Sequence, residues 1–89
     1  MAAEPSQTVG DLRRKAIVTD DEIAAATDAY LADPSGGLFR FGSGHKLDLA
    51  AAVEAHRPAK AATAEKGMKE AYRRMMIRTA IILAAPDAP

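Results

Sequence analysis

An 89-residue chain is long enough for one small domain, and we expect residues 1–89 to form a single helical unit with loose ends at about 1–7 and 86–89. Alanine accounts for 21 residues and buries little apolar area, which predicts a thin core that self-association or a partner would extend. No cysteine is present, which excludes a disulfide framework, a thiolate metal site and a cysteine nucleophile. A cysteine-free chain suits a reducing compartment, so we expect a cytoplasmic protein.

The formal net charge is zero, but the two halves of the chain differ in sign. Residues 1–37 carry three basic and seven acidic side chains, for a charge of −4, whereas residues 38–89 carry nine basic and five acidic side chains, for a charge of +4. Such a split favours attraction between the halves of one chain, or between two copies arranged head to tail, over a dedicated acidic partner.

Neither a targeting segment nor a membrane span is predicted. The N-terminal stretch "MAAEPSQTVGD" lacks the basic segment and following apolar run of a signal peptide. The longest apolar stretch, residues 80–85, is far shorter than the roughly 20 residues that cross a bilayer.

Two helices are predicted before residue 34. Thr8 is a candidate N-cap for a short first helix, whose apolar residues with helical spacing are Val9, Leu12 and Ala16. Thr19 and Glu22 have the spacing of a capping box, which is a strong signal for the start of a second helix. The apolar face of this second helix consists of Ile23, Ala26, Thr27, Tyr30 and Leu31. Asp33 and Pro34 predict its end.

The stretch "GGLFRFGSGHK", residues 36–46, contains both phenylalanines, four of the six glycines and one of the two histidines. Its spacing does not match a phosphate-binding loop, a dinucleotide fingerprint or a nucleophile elbow. Two interpretations remain open. One is a small hairpin with Leu38 and Arg40 on one side and Phe39 and Phe41 on the other, and the second is an irregular loop whose phenylalanines fill the core.

Residues 48–57 are predicted to form another short helix. Asp48 is a plausible N-cap, and Leu49, Ala52, Val53 and His56 share one face. Pro58 interrupts this pattern and is well suited to the first turn of the next helix.

Residues 59–85 carry the longest helical pattern, with Gly67 as a weak point and Pro86 as a stop. The three–four spacing predicts a buried stripe made of Ala61, Ala64, Met68, Ala71, Tyr72, Met75, Thr79, Ile82 and Leu83. The predicted fold class is therefore mainly α, with three or four short-to-medium helices, a Gly/Phe-rich loop or small hairpin at about 36–47, and a long C-terminal helix.

Within residues 66–85, the last two and a half turns are apolar nearly all round. If Met68 lies at the centre of the buried stripe, then Ile77 and Ile81 lie on the opposite side. A helix with this pattern is either buried on all sides or covered by another surface. One interpretation places it at the centre of the domain, and the other leaves one side for a partner.

The second interpretation predicts a non-enzymatic protein–protein interaction module, such as a small adaptor, inhibitor, accessory or assembly subunit. The partner would be another protein or a second copy of the chain. Methionine adapts to irregular surfaces and arginine is enriched at interfaces. The predicted partner-binding residues are Arg73, Arg74, Met76, Ile77, Arg78 and Ile81.

Nucleic-acid binding is the alternative. The basic face of residues 66–78 and the loop formed by Phe39, Arg40 and Phe41 combine positive charge with aromatic rings. The candidate contact residues are Arg40, His45, Lys46, Lys66 and Lys69. Zero net charge argues against this class, since a basic domain is the usual pattern.

Enzymatic chemistry is not predicted. His45 and His56 lie eleven residues apart without cysteine or carboxylate at metal-ligand spacing. Ser43 has no sequence signature of an orienting base and a third partner. We therefore expect no catalytic residue, no metal and no cofactor.

Overall fold

The computed structural model describes residues 7–34, 37–65 and 67–88, so the predicted loose end at about 1–7 lies outside the described residues except for Gln7. The described chain is mostly helical and contains one two-stranded antiparallel sheet, which confirms the predicted fold class. Its elements are α1 (Val9–Arg14), α2 (Asp20–Ala32), β1 (Leu38–Arg40), β2 (Lys46–Asp48), α3 (Leu49–Ala55), α4 (Arg57–Ala64) and α5 (Glu70–Leu83).

The first two helices begin at the predicted caps. The Thr8 side chain accepts a hydrogen bond from the Asp11 backbone at 3.1 Å, and the Thr19 side chain accepts one from the Glu22 backbone at 3.2 Å. In both helices the acidic side chain at the third position bonds back to the cap residue, which completes a capping box. These local signals fix where each helix starts.

The first helix is shorter than the sequence pattern suggested. It ends at Arg14, and Ala16 has a φ of 60° and is exposed, so its predicted place on the apolar face is wrong. The chain turns here because the backbone N–H groups of Ile17 and Val18 both donate to the Leu12 carbonyl, at 2.9 and 3.3 Å. This turn buries Val18, which closes the core beside α1.

Residues 38–48 form the predicted hairpin, and they also fill the core. Phe39 pairs with Leu47 in the centre of the two strands. The Phe41 N–H donates to the His45 carbonyl at 2.8 Å, which closes a three-residue loop. The side chain of Phe41 is 1% exposed, and its ring meets that of Phe39 edge to face with centroids 5.0 Å apart. Arg40 points outward, as predicted for alternate residues of a strand.

The C-terminal segment after α5 returns to this hairpin. The Asp87 backbone N–H donates to the Lys46 carbonyl at 2.7 Å, and the Lys46 N–H donates to the Asp87 carbonyl at 3.1 Å. The prediction of a loose end from residue 86 is therefore wrong at Asp87, because an unpaired strand edge offers hydrogen-bonding groups that a passing backbone satisfies.

The long helical pattern at 59–85 is divided into α4 and α5, so the described chain has four short-to-medium helices followed by the C-terminal helix, within the range predicted. Gly67 lies between them with a φ of 88°, a left-handed conformation that disfavours any residue with a Cβ. At the other end of α4, Pro58 occupies the first turn as predicted. His56 is the C-cap residue of α3, where its backbone N–H donates to the Val53 carbonyl at 3.1 Å, and its Nδ1 accepts from the Ala59 N–H at 3.2 Å and caps the start of α4.

Helix α5 contacts all four other helices and is the central element of the core. The buried apolar cluster consists of Val9, Leu12, Val18, Ile23, Ala26, Tyr30, Phe41, Leu47, Leu49, Ala52, Val53, Ala59, Ile77, Ala80 and Ile81. Small residues allow close approach of the helices. A Cβ on Gly10 of α1 would lie 2.9 Å from the Ile82 Cγ2 atom of α5, so only glycine fits this contact.

Candidate protein-interaction face

The side of α5 that carries Ile77 and Ile81 faces the core. Both side chains are 0% exposed, so their predicted role in binding a partner is wrong for the folded chain. The helix is apolar on two sides, as the sequence indicated, but the domain covers the isoleucine side rather than the methionine side. The physical reason is that the branched side chains of Ile77 and Ile81, with Ala80 between them, pack more tightly against the neighbouring helices than flexible methionine side chains do.

The arginines of α5 are used within the chain. Arg73 donates from Nη2 to the Glu65 carbonyl at 3.1 Å and from Nε to the Ala62 carbonyl at 3.4 Å, which satisfies the end of α4. Arg74 forms an ion pair with Asp28 of α2. These two predicted partner-binding residues therefore already have partners in their own domain.

Arg78 is engaged in the same way, with its Nη2 atom 3.5 Å from the Asp20 carboxylate. Asp20 also pairs with Arg13 of α1, which lowers the pKa of the Asp20 carboxyl mainly through the hydrogen bond from that guanidinium. Met76 is half-buried against the core cluster. The predicted basic docking residues thus hold α5 to α2 and α4.

The opposite side of α5 is exposed and apolar. Tyr72, Met75 and Leu83 are 43%, 51% and 58% exposed, although all three were predicted to be buried. Thr79 lies between Met75 and Leu83 on the same side. Its hydroxyl donates to the Met75 carbonyl at 2.9 Å, so its polar group is satisfied within the helix. We call Tyr72, Met75, Thr79 and Leu83 the outward face.

A shallow cavity of about 380 Å3 adjoins one end of the outward face. It lies where the end of α5 meets β2 and α3, and its apolar lining is supplied chiefly by Leu83, Leu47 and alanines of α3. Lys46 and Asp87 form its polar edge. The outward face therefore continues past the helix into a concave surface, which is a shape that receives a side chain.

The residues proposed for nucleic-acid contact are not brought together into one site with the aromatic rings. Phe41 is buried and Phe39 packs against the core, so neither ring is free to stack on a base. Arg40 and Lys69 are exposed, and Lys46 is half-buried at the hairpin edge. Lys66 lies outside the described residues.

The hairpin loop holds a contact that the sequence did not reveal. Ser43 Oγ lies 2.7 Å from His45 Nδ1, so a base does reach this serine. The Ser43 hydroxyl also accepts from the His45 N–H at 3.4 Å, which is a local turn interaction. Within residues 37–65 no carboxylate hydrogen-bonds to the His45 ring, so the orienting third member of a catalytic triad is not present there.

Glu22 connects the hairpin to α2 and was identified from sequence only as a capping residue. One carboxylate oxygen accepts from the Thr19 N–H at 3.1 Å, and the other accepts from the Gly42 N–H in the hairpin loop. The hydrogen bond from Gly42 is the main cause that lowers the pKa of the Glu22 carboxyl below its ordinary value. A tertiary contact of this kind has no signal in the local sequence.

The described parts of the chain contain no group of three His, Cys, Asp or Glu side chains placed to hold a metal ion. None of the described helices has the length and apolar character needed to cross a membrane. Comparison with protein-family models, curated proteins and solved structures finds no match to this chain.

Proposed function

We propose that the chain is a non-enzymatic protein–protein interaction module, of the adaptor, inhibitor, accessory or assembly-subunit type, that docks through its C-terminal helix. The docking residues are those of the outward face rather than Ile77 and Ile81. The absence of cysteine suits a reducing compartment, and on that ground we place the module in the cytoplasm.

One observation carries this proposal: three large apolar side chains are exposed along one side of the helix that forms the centre of the core. Isolated exposed apolar residues are ordinary, but a row of them on one rigid helix is typical of a helix-mediated contact. Tyrosine and methionine are both enriched at interfaces. Helix α5 is held in place by four other helices, so it loses little conformational freedom when a partner binds, and this favours binding.

The nucleic-acid alternative receives less support from the same surface. Both phenylalanines pack inward, and the arginines of α5 bond to acidic side chains and carbonyls of their own chain. A phosphate-binding surface requires cations that are free to release counterions. A docked apolar helix requires no such charge.

The proposal is tested by a photo-crosslinking residue placed at Tyr72, compared with the same residue at the exposed Ala25 of α2. We expect protein adducts from position 72 and none from position 25. The captured protein is then purified and its affinity for the chain is measured by calorimetry. Met75→Lys should weaken that affinity by at least about tenfold, since it places a charge in an apolar contact.

Equal affinity of the purified partner for wild type and Met75→Lys would contradict the proposal. Ala25→Lys serves as the matched control, because it adds the same charge to an exposed helix position away from the outward face. Circular dichroism and thermal unfolding confirm that each variant retains the fold.

A further inference from the structure

We propose that the outer edge of β1 binds an extended segment of a partner protein, which adds a strand to the sheet. The segment places an acidic side chain opposite Arg40 and an apolar side chain opposite Leu38. This site lies on the hairpin, is separate from the outward face of α5 and does not rest on the proposed function. The inference follows from the backbone register, the exposure and the charge of the hairpin.

The backbone of β1 has hydrogen-bonding groups that β2 does not use. The Phe41 N–H donates to the His45 carbonyl at 2.8 Å, and hydrogen-bonded pairs alternate with non-bonded pairs along an antiparallel ladder. The next residue of β1 that bonds to β2 is therefore Phe39, whereas Leu38 and Arg40 direct their N–H and C=O groups away from β2. The outer edge of β1 thus offers two donors and two acceptors.

The other edge of the hairpin has the same arrangement, and there it is covered. The Lys46 N–H and carbonyl point away from β1 and exchange two hydrogen bonds with the Asp87 backbone. Within the described residues, β1 has only β2 as a neighbour in the sheet, and no backbone group covers its outer edge. Leu38 and Arg40 are both exposed, Leu38 by 62%. Such an edge selects an extended backbone, because a strand matches the spacing of its donors and acceptors.

The charges on this face select an acidic segment. Arg40 lies directly opposite Lys46, and side chains in such a pair have Cβ atoms about 4.5–5.5 Å apart, so two positive charges are neighbours. Neither cation takes part in an ion pair among the described residues. The nearby Asp48 carboxylate accepts from the Ala51 N–H at 3.1 Å, and Asp87 forms no ion pair with Lys46. A carboxylate opposite Arg40 would offset the repulsion between the two cations.

The same features disfavour other occupants. Antiparallel pairing of two β1 edges would bring Arg40 and Lys46 of both copies onto one face, and like charges on neighbouring strands are destabilising. The phosphates of a nucleic acid accept hydrogen bonds but cannot donate to the outward carbonyls of Leu38 and Arg40. A peptide backbone with a carboxylate side chain matches both the backbone groups and the charge.

The register fixes the pattern of the bound segment. In an antiparallel addition, which is the more stable kind of pairing, the residue opposite Arg40 precedes the residue opposite Leu38 by two positions. The segment therefore contains an acidic residue, any residue and an apolar residue, in that order. It forms at most four backbone hydrogen bonds, so we expect a dissociation constant of about 0.1–1 mM, the weak end of specific association.

A synthetic peptide tests the inference on the full-length, isotope-labelled chain by NMR titration. The probe is acetylated, amidated Ser-Thr-Glu-Thr-Val-Thr-Gly, and its saturable binding should shift the amide signals of Leu38 and Arg40. Methylation of the backbone nitrogens of Glu and Val, which face β1, should weaken binding at least about tenfold. Methylation of the nitrogen of the Thr between them is the matched control, because that N–H faces away from β1, and it should weaken binding less than about threefold.

A charge exchange tests the predicted side-chain pair. Arg40→Glu should weaken binding of this peptide at least about tenfold and should allow the peptide with Lys in place of Glu to bind. Arg57→Glu makes the same change in net charge at another exposed arginine, and it should leave binding of both peptides unchanged. Circular dichroism checks that each variant keeps the fold. If Arg40→Glu does not fold, Arg40→Gln should still weaken binding of the Glu peptide.

Four results would overturn the inference. Binding that survives methylation of the facing nitrogens would show that charge alone holds the peptide, and binding that the Arg40 variants do not weaken would place the peptide elsewhere. Concentration-dependent shifts of the same amides without peptide would assign the edge to a second copy. Tighter binding of a single-stranded oligonucleotide at these amides would assign it to nucleic acid. None of these results bears on the proposed function, which is tested separately at Tyr72 and Met75 of α5.

Discussion

Met75 and Ile77 are two residues apart on α5 and lie in opposite environments. The Met75 side chain is 51% exposed and that of Ile77 is 0% exposed. Their side chains are about 200° apart around the helix axis, so when one of them packs in the core the other points away from it. What decides which side faces inward is the fit to neighbouring elements, and here the branched side chain packs in the core.

We expect Ile77→Ala to lower the free energy of unfolding by about 2–5 kcal/mol, because it removes buried methyl groups and leaves a cavity. Met75→Ala should change it by less than about 1 kcal/mol, since alanine is a better helix former and little burial is lost. Urea unfolding of both variants measures the difference. Equal effects of the two substitutions would show that the faces of α5 are assigned incorrectly.

Glu22 both caps α2 and connects α2 to the hairpin, because its two carboxylate oxygens accept hydrogen bonds from the backbone N–H groups of Thr19 and Gly42. Its pKa in the folded chain is lowered from 4.5, so the folded state favours the ionised form. The resulting stabilisation is fully present above pH 4.5 and is lost as pH falls through the lowered folded value.

The matching prediction is that wild type loses stability as pH falls from about 6 to 3, and that Glu22→Gln shows a shallower loss over the same range. The variant retains some slope, since the pKa values of the Asp11 and Asp20 carboxyls are also lowered by their hydrogen bonds to Thr8 and Arg13. Urea midpoints measured across this range check the slope. If the urea midpoints of wild type and Glu22→Gln fall equally steeply with pH, Glu22 does not contribute to the loss of stability in acid.

At the scale of elements, α1 and α5 are joined by a contact that only glycine allows. Glycine weakens a helix relative to alanine, yet Gly10 of α1 is buried beside Ile82 of α5. The cost in helix propensity, roughly 1 kcal/mol relative to alanine, is offset by the packing of Ile82 against the Gly10 backbone. The sequence pattern shows the cost but not the contact.

Gly10→Ala is therefore expected to destabilise the chain by about 1–3 kcal/mol despite the better helix propensity of alanine, because its Cβ would lie 2.9 Å from Ile82 Cγ2. The double variant Gly10→Ala with Ile82→Val retains the Cγ2 atom at residue 82 and should not recover the stability lost in Gly10→Ala. The double variant Gly10→Ala with Ile82→Ala removes that atom and should recover part of the lost stability. Thermal unfolding measures each variant. Stabilisation by Gly10→Ala alone would mean that the two helices are not in contact there.

At the scale of the whole molecule, the opposite charges of the two halves meet across α2 and α5. Arg74 pairs with Asp28, and Arg78 lies near Asp20, so the acidic first half and the basic second half attract within one chain. These pairs are partly exposed and screened by salt, so they orient the helices more than they stabilise them.

We expect a double-mutant cycle of Asp28→Asn and Arg74→Gln to give a coupling energy of about 0.2–1 kcal/mol that decreases as the salt concentration rises. Chemical denaturation with urea at low and high salt measures the coupling. A coupling energy near zero at low salt would show that the pair does not contribute to holding α2 on α5.

Much of the fold could be predicted from local signals. The capping boxes at Thr8 and Thr19, the alternation through Phe39 and Phe41, and the proline after His56 each act over a few residues. The division of the long pattern at Gly67 was visible as a weak point but not as a boundary, because a left-handed glycine is set by the direction in which α5 must leave α4. The exposed apolar side chains lie on the helix that the sequence indicated for docking, but on the side opposite Ile77 and Ile81, which are buried.

The sequence by itself determined that this is a small, mostly helical chain whose last helix is apolar around most of its circumference. Only the tertiary structure decided which side of that helix is covered. Periodicity shows how apolar residues are distributed around a helix. Which side is buried depends on which side fits the neighbouring elements in shape. It also depends on which orientation brings the arginines beside Asp20, Asp28 and the end of α4. Packing and charge together buried the isoleucines and left Tyr72, Met75 and Leu83 exposed.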